Sequence, residues 1–349
     1  MTDLHDATPR ASAGTTADPA VPTSAAPARD LVVTAIGTTL PPAPGADGWF
    51  DQRAELGRGY KKLPAACQYL LSATRRALAA AGGGLETTPE ERRAVAIGSN
   101  HGAARIHTEV DAATTGGEAH LISPAAAPYF SPNLIAGRLA IEHALKGFSL
   151  GVHTPGTGGL EAVHAGLRAL RFGRADWLLA GAAEEPPPAD DKALALDGTP
   201  EDGAVALVFE PASAVAARGG RSLGTVTARV FCLPPAAAAA GDGPEHARRL
   251  LAAALAGLGL PRLPADGVRL ITDGSPVADA LARACEGRAE PVAAGAGCLG
   301  PVRQVADALG AAEPRLIITA GRAGTVAVAR VSPAPHIPLS PMDSPTEGS

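Results

Sequence analysis

Aromatic residues make up only 3% of the 349-residue chain, with two Trp, three Tyr and six Phe. A core for a chain of this length must therefore be built from Ala, Val, Leu and Ile rather than from rings. The four cysteines, Cys67, Cys232, Cys285 and Cys298, stand far apart, with no CxxC pair and no metal-ligand spacing. Reduced thiols are the expectation, with no metal and no cofactor. No apolar run reaches the ~18 residues of a membrane span. The opening residues lack the charged-then-apolar pattern of a signal peptide, so a cytoplasmic protein is expected. A net charge of −5 and a pI near 6.0 exclude the basic face that a general nucleic-acid binder needs. What is plentiful is Gly (41) and Pro (32), which punctuate the chain.

Residues 1–29 mix Ala, Thr, Ser and Pro without apolar periodicity, and residues 332–349 are interrupted by repeated prolines. Both read as disordered tails. Between them strands and helices alternate, the pattern of an α/β layered fold. Strands are expected at Leu31–Ile36, Ala94–Ile97, Phe148–His153, Trp177–Ala180 and Val205–Phe209. Helices are expected over 62–81, 133–145 and 158–172, the last with Leu160, Val163, Leu167 and Leu170 at helical spacing. The scheme then repeats more loosely, with strands at 224–230, 268–272, 316–319 and 325–331 and helices at 245–258, 277–285 and 302–309. Two halves follow, residues 30–220 and 221–331.

One block is more specific than propensity. It opens Ile122-Ser-Pro-Ala-Ala-Ala-Pro-Tyr-Phe-Ser-Pro-Asn-Leu-Ile-Ala-Gly-Arg-Leu-Ala-Ile141 and continues to Arg171-Phe-Gly-Arg-Ala-Asp-Trp-Leu-Leu-Ala-Gly-Ala-Ala-Glu184. Glu201-Asp-Gly-Ala-Val-Ala-Leu-Val-Phe-Glu210 follows, then Ala217-Arg-Gly, and late in the chain Gly321-Arg-Ala-Gly-Thr325. Together these segments resemble the β-ketoacyl synthase family of thiolase-fold condensing enzymes. The resemblance is good over about residues 94–220 and weaker to 331. It implies a thiolase-like layered α/β fold of two related βαβ-type halves, each half ketosynthase-like. The short Pro-rich connector after Glu184 and the brief stretch between Leu309 and Leu316 imply a chain shortened relative to a full ketosynthase.

The same resemblance locates three vacancies. Where the family has a nucleophilic Cys after its strand, this chain reads Val152-His-Thr-Pro-Gly156-Thr-Gly-Gly159, so Gly156 occupies the nucleophile's place. Glycine cannot attack a thioester. It retains the backbone N–H that in the family forms half of the oxyanion hole, a donor left to bind a carbonyl. The family's first catalytic His corresponds to Asp273 in Thr272-Asp-Gly-Ser-Pro276, and its second to Gly297 in Ala296-Gly-Cys-Leu-Gly300. An aspartate at pH 7 accepts but does not donate. No residue is thus assigned a catalytic role.

Other candidates have ordinary alternatives. Gly295-Ala-Gly-Cys-Leu-Gly300 is a formal GxGxxG, yet it lies late in the chain after a short, Pro-led strand, and a glycine turn is the better reading. Cys298 reads as a core thiol or as a displaced nucleophile near a helix start. His101, His107 and His153 read as core or surface histidines, and a triad of His153, Asp273 and Ser275 lacks a nucleophile elbow. Arg168, Arg171 and Arg174, spaced by three, read as a solvated face or as a docking patch for an acidic carrier protein.

The resemblance therefore implies a catalytically silent ketosynthase-like subunit, similar to a chain-length factor. Such a subunit would pair with an active ketosynthase, or with itself, in carrier-protein-dependent polyketide or fatty-acid synthesis. The family dimerises through the strand before the nucleophile, which places the interface at Phe148, Leu150, Val152 and Thr154. Two alternatives stay open: an acyltransferase, 3-oxoacyl-carrier-protein synthase or hydrolase with altered chemistry on this scaffold, and an acyl or carrier-protein binding module. No nucleic-acid partner and no membrane span are expected.

Overall fold

Strands form over short stretches rich in Ala, Val, Leu and Ile, with Gly and Pro frequent in the connections between elements. The computed structural model describes residues 29–124, 128, 130–187 and 198–335. In the first half β1 (Leu31–Thr39) leads through α1 (Gln52–Leu56), α2 (Ala65–Ala80) and α3 (Gly84–Thr87) to β2 (Arg93–Gly98). Next come α4 (Ala104–Thr115), α5 (Leu134–Glu142), β3 (Ser149–Val152), α6 (Gly158–Arg171), β4 (Trp177–Glu184) and β5 (Gly203–Pro211). After α7 (Ala212–Ala217) the second half runs β6 (Gly224–Cys232), α8 (Pro235–Ala239), α9 (Gly243–Gly257), β7 (Val268–Thr272) and α10 (Pro276–Ala284). It closes with β8 (Ala289–Ala293), α11 (Leu299–Gly310), β9 (Arg315–Ala320) and β10 (Thr325–Pro333). Among the described residues no helix is long and apolar enough to cross a membrane.

The strands form one sheet in the order β3-β2-β4-β5-β1-β6-β10-β9-β7-β8. The order describes a duplication. In each half the first strand pairs antiparallel with the fifth and the fifth antiparallel with the fourth. The fourth runs parallel to the second, and the second parallel to the third. The halves meet back to back where β1 touches β6, at Val33 and Gly224. The two related halves expected from the sequence are these.

Alternation along the strands then sets the layers, because successive side chains leave opposite faces. Leu178, Ala180, Val205, Leu207 and Phe209 face a central core that also holds Ala327, Ala329 and Ile317 of the second half. Within that core lie α6, through Leu160, Val163 and Leu167, and α11, through Leu299, Val302 and Val305. The opposite face of the first half, Trp177, Leu179, Ala206 and Val208, packs on α2 and α5. The opposite face of the second, Val326, Val328, Leu316 and Ile318, packs on α9 and α10. Five layers result, with the N-termini of α6 and α11 brought to the junction between the halves. Burial is assembled largely from small aliphatic side chains, as the low aromatic content requires.

The differences from the sequence reading are local. The first long helix starts at Ala65 rather than Lys62, because Pro64 holds an extended conformation at the cap (ψ 148°). Helix α11 starts three residues early, and α4 is too poor in large apolar residues for its pattern to reveal a helix. Ser332 and Pro333, read as part of the trailing segment, pair with Thr225 and Gly224. The remainder of both tails (1–28 and 336–349) and the connector from 188 to 197 lie outside the described residues, as do 125–127 and 129.

Candidate functional site

The turn between β3 and α6 places Gly156 at the junction of the halves. Its φ is +73°, a left-handed conformation that L side chains adopt only with strain. Its N–H donates to the carbonyl of Gly297 at 2.9 Å, and its own carbonyl accepts from the Thr319 hydroxyl at 3.1 Å. A Cβ at this position would lie 3.5 Å from the carbonyl oxygen of Ala320 and 3.9 Å from Cα of Gly321. The two positions that the resemblance assigns to the nucleophile and the second histidine, Gly156 and Gly297, are thus in direct hydrogen-bonded contact. The N–H read from the sequence as a spare donor is committed to another part of the same chain, so the expected half oxyanion hole is closed.

At Gly297 the structure supplies a physical reason for glycine. A Cβ there would meet the Glu184 side chain at 2.6 Å, closer than real contacts allow. Glu184 ends β4, is fully buried, and accepts from the backbone N–H groups of Asn100, His101 and Cys298, each at 2.8 Å. It therefore ties the loop after β2 to the approach of α11. Glu201 does the corresponding work one turn on, accepting from Leu299 and Gly300 at 3.0 and 2.7 Å. These two carboxylates satisfy donors that the first turn of α11 leaves open and sit favourably against its dipole. The glycine-rich 295–300 segment is hence a wrapping around two acids, with no role in holding a dinucleotide.

Burial pushes Glu184 up to about 7, against the lowering effect of its backbone donors and with a further upward push from Glu201. Burial likewise raises Glu201. A carboxyl whose folded pKa exceeds its unfolded value adds stability that is fully present below about 4.5 and lost as pH rises through about 7. Stability should consequently fall between pH 5.5 and 8 by an amount on the order of 2 kcal/mol attributable to this group. Urea titrations of the wild type and Glu184→Gln at both pH values check this: the variant should show the shallower pH dependence, and parallel profiles would contradict it.

Asp273, which the resemblance aligns with the family's first histidine, forms a local turn. Its carboxylate accepts from the N–H of Ser275 at 3.0 Å and lies 3.9 Å from the Arg322 guanidinium. Ser275 in turn caps α10, accepting from Ala278 at 3.3 Å. His153 Nδ1 contacts the Ser99 carbonyl at 2.6 Å. The drawn triad is not assembled: Asp273 holds a backbone N–H rather than an imidazole, and Ser275 is a helix cap. Cys298 is fully buried, and burial, reinforced by the Glu184 charge, drives its thiol well above the ordinary range. This is the environment of an inert core thiol. His101 is buried and kept neutral by that burial, while His107 stacks on Phe130 with centroids 5.4 Å apart. With Ser99, Ile135 and His153 these residues line a cavity of about 490 Å³. Among the described residues no group of three or more His, Cys, Asp or Glu is arranged to hold a metal ion.

Strand β3 is one edge of the sheet, and its pairing with β2 sets which main-chain groups of the Phe148–Thr154 segment face outward. Val95 N–H donates to the Phe148 carbonyl at 2.8 Å, and Ser99 N–H to the Val152 carbonyl at 2.9 Å. In a parallel ladder main-chain groups alternate in direction, so Phe148, Leu150 and Val152 face β2 and Ser149 and Gly151 face outward. The side chains of Phe148, Leu150 and Val152 pack partly on the central core. The arginines are also rearranged. Arg168 and Arg174 line a groove with Phe148, Leu150 and Phe172, stacking on Phe172 and Phe148 at 5.8 Å. Arg171 is half-buried, its pKa lowered by burial and by Arg229. Arg168 and Arg174 share this groove although Arg174 lies beyond the end of α6, and Arg171 is not among its lining residues. What sequence reasoning missed here is Glu184, Glu201 and Thr319; a lone carboxylate ending the apolar run Trp177-Leu-Leu-Ala-Gly-Ala-Ala is the available signal for the first.

Comparison with known proteins agrees with this architecture. Residues 25–190 match the family of the β-ketoacyl synthase N-terminal domain. Among solved structures, the chain is similar to the ishigamide ketosynthase/chain length factor, with a TM-score of 0.71 and 17% identity over 87% of this chain and 99% of that one. A type II polyketide synthase acyl-carrier protein in complex with its ketosynthase, AntDE:AntF, matches with a TM-score of 0.66 and 16% identity over 87% and 99% of the two chains. The oxazolomycin ketosynthase domain OzmH KS8 of Streptomyces albus JA3453 matches at 0.62 and 17% identity over 87% and 95%. At these identities the structures establish a thiolase-like fold of the ketosynthase type, and residues 25–190 of the chain match the β-ketoacyl synthase N-terminal domain.

Proposed function

We propose that this chain is a non-catalytic ketosynthase-like subunit that pairs with an active ketosynthase in carrier-protein-dependent polyketide synthesis. The observation that carries the reading is the closed centre. The nucleophile's position is a left-handed glycine whose N–H is bonded to Gly297, and the space beside Gly297 is filled by Glu184. Gly156 offers no nucleophile, and its N–H is not free to serve as an oxyanion donor.

The two edges of the sheet support pairing through β3. At the far edge, Ala294 N–H donates to Thr272, so the alternation turns residue 291 outward, and that residue is Pro291, exposed and without an N–H. Proline on an edge strand blocks strand addition. Strand β3 carries no such block, and Ile141 of α5 and Phe172 at the end of α6 flank it at 77% and 71% exposure. Antiparallel pairing of this edge across a two-fold or pseudo-two-fold would join two sheets and cover both side chains. Similar proteins include a ketosynthase/chain length factor and a ketosynthase in complex with its acyl-carrier protein, which makes a ketosynthase the first partner to test.

The test is coexpression of this chain with a ketosynthase that retains its cysteine, followed by size-exclusion chromatography with light scattering. A stoichiometric heterodimer is expected, with this chain poorly soluble when expressed alone. A well-behaved monomer that ignores every ketosynthase offered would overturn the proposal.

A further inference from the structure

Three of the chain's few aromatic residues, Trp49, Phe50 and Tyr69, gather on a different cavity, whose Asp202 follows Glu201 in the chain. Trp49 and Tyr69 lie with ring centroids 4.8 Å apart, Phe50 and Tyr69 4.9 Å, and Trp49 and Phe50 5.6 Å. Beside them is a cavity of about 300 Å³ lined also by Asp47, Gln52, Gln68 and Asp202. Gln52 gives one amide N–H to the Gly57 carbonyl at 2.6 Å and Gln68 one to that of Leu63 at 2.8 Å, which leaves the carbonyl oxygen and the second N–H of each amide for a ligand. Trp49 Nε1 donates to Asp202 Oδ2 at 2.7 Å, while Asp202 Oδ1 is buried with no partner at hydrogen-bond distance. Burial, the neighbouring Asp202 charge and the hydroxyl's interaction with that carboxylate keep Tyr69 protonated, and burial raises Asp202 against the lowering effect of Trp49, Tyr69 and the Gly203 backbone. No Lys or Arg lines the cavity, and Arg105, the cation whose charge reaches Tyr69, is outside the lining.

Two carboxylates, two amide carbonyls and three ring edges or faces, with no cation among them, complement a small positive group that carries its own N–H donors. A buried acceptor without a donor is costly unless something supplies one. We propose that this cavity binds a primary alkylammonium ion, its N–H groups directed to Asp202 and the glutamine carbonyls and its alkyl part against Trp49, Phe50 and Tyr69. None of the lining residues belongs to the closed centre or to the β3 edge, so the proposal stands or falls independently of the pairing function.

The readout is built into the chain, because Trp177, the other tryptophan, is fully buried and Trp49 is half-buried in the site. Tryptophan emission of the full chain, alone or in complex, would be followed on titration with n-butylammonium chloride, with sodium chloride at matched ionic strength as the blank. A saturable change is expected with n-butylammonium and none with sodium. Asp202→Asn should raise the dissociation constant at least tenfold while leaving the thermal melting profile within a few degrees of wild type. Should Asp202→Asn be too unstable, Gln68→Leu serves as the second variant, with a smaller loss of several-fold. No saturable change, an unaltered constant in both variants, or tetramethylammonium binding as tightly as n-butylammonium would overturn the assignment.

Discussion

Ser149→Pro should abolish pairing with the ketosynthase while leaving the subunit folded. Ser149 is exposed, begins β3 and directs its main-chain groups away from β2, so proline there removes an outward donor without touching the ladder inside the subunit. The partner's affinity should drop by a hundredfold or more, about 2.8 kcal/mol. Ser149→Ala, which keeps the N–H, should pair as the wild type does. Leu150→Pro, by contrast, should unfold the chain, because the N–H of Leu150 faces β2 and its side chain packs on the central core. Analytical ultracentrifugation with circular dichroism separates these outcomes. If Ser149→Pro still forms the complex, the open-edge interface is wrong. Reversing Arg168 and Arg174 to Glu should also weaken pairing, since both lie in the groove beside Phe148 and Leu150.

Gly156→Cys should not create a condensing enzyme. At a φ of +73° any L residue is strained by about 1–2 kcal/mol, so the variant should be less stable. A thiol installed there would still find its oxyanion donor occupied by Gly297 and no histidine at positions 273 or 297. Incubation of the variant with acyl-carrier-protein thioesters, followed by intact-protein mass spectrometry, should show no stable acyl adduct and no decarboxylation of malonyl carrier protein. A stoichiometric adduct on the introduced thiol would contradict the closed centre, and condensation activity would do so more severely.

Layering and the two halves were legible in the sequence because each rests on local pattern: apolar runs, breakers and short motifs. What was not legible depends on which residues meet. Gly297 reads as a turn glycine until the fold places Glu184, more than a hundred residues earlier, in the space its side chain would need. The N–H of Gly156 reads as free until Gly297 is found beside it. The direction of main-chain groups along β3 and β8 follows from register, which a single strand does not reveal. The three arginines share a helical spacing on paper, yet α6 ends at Arg171 and Gly173 turns the chain at a φ of +67° before Arg174. Arg168 and Arg174 nonetheless share a groove that Arg171 does not line, an arrangement that spacing alone does not give.

On the proposed reading this chain contributes an interface and no chemistry. The measurement that tests it most directly is condensation by the heterodimer in which the ketosynthase's own cysteine has been replaced by alanine. No product and no acyl group on this chain are expected, with full activity restored by the unaltered partner. Product formation by the cysteine-less complex, or acyl transfer to any residue of this chain, would contradict it.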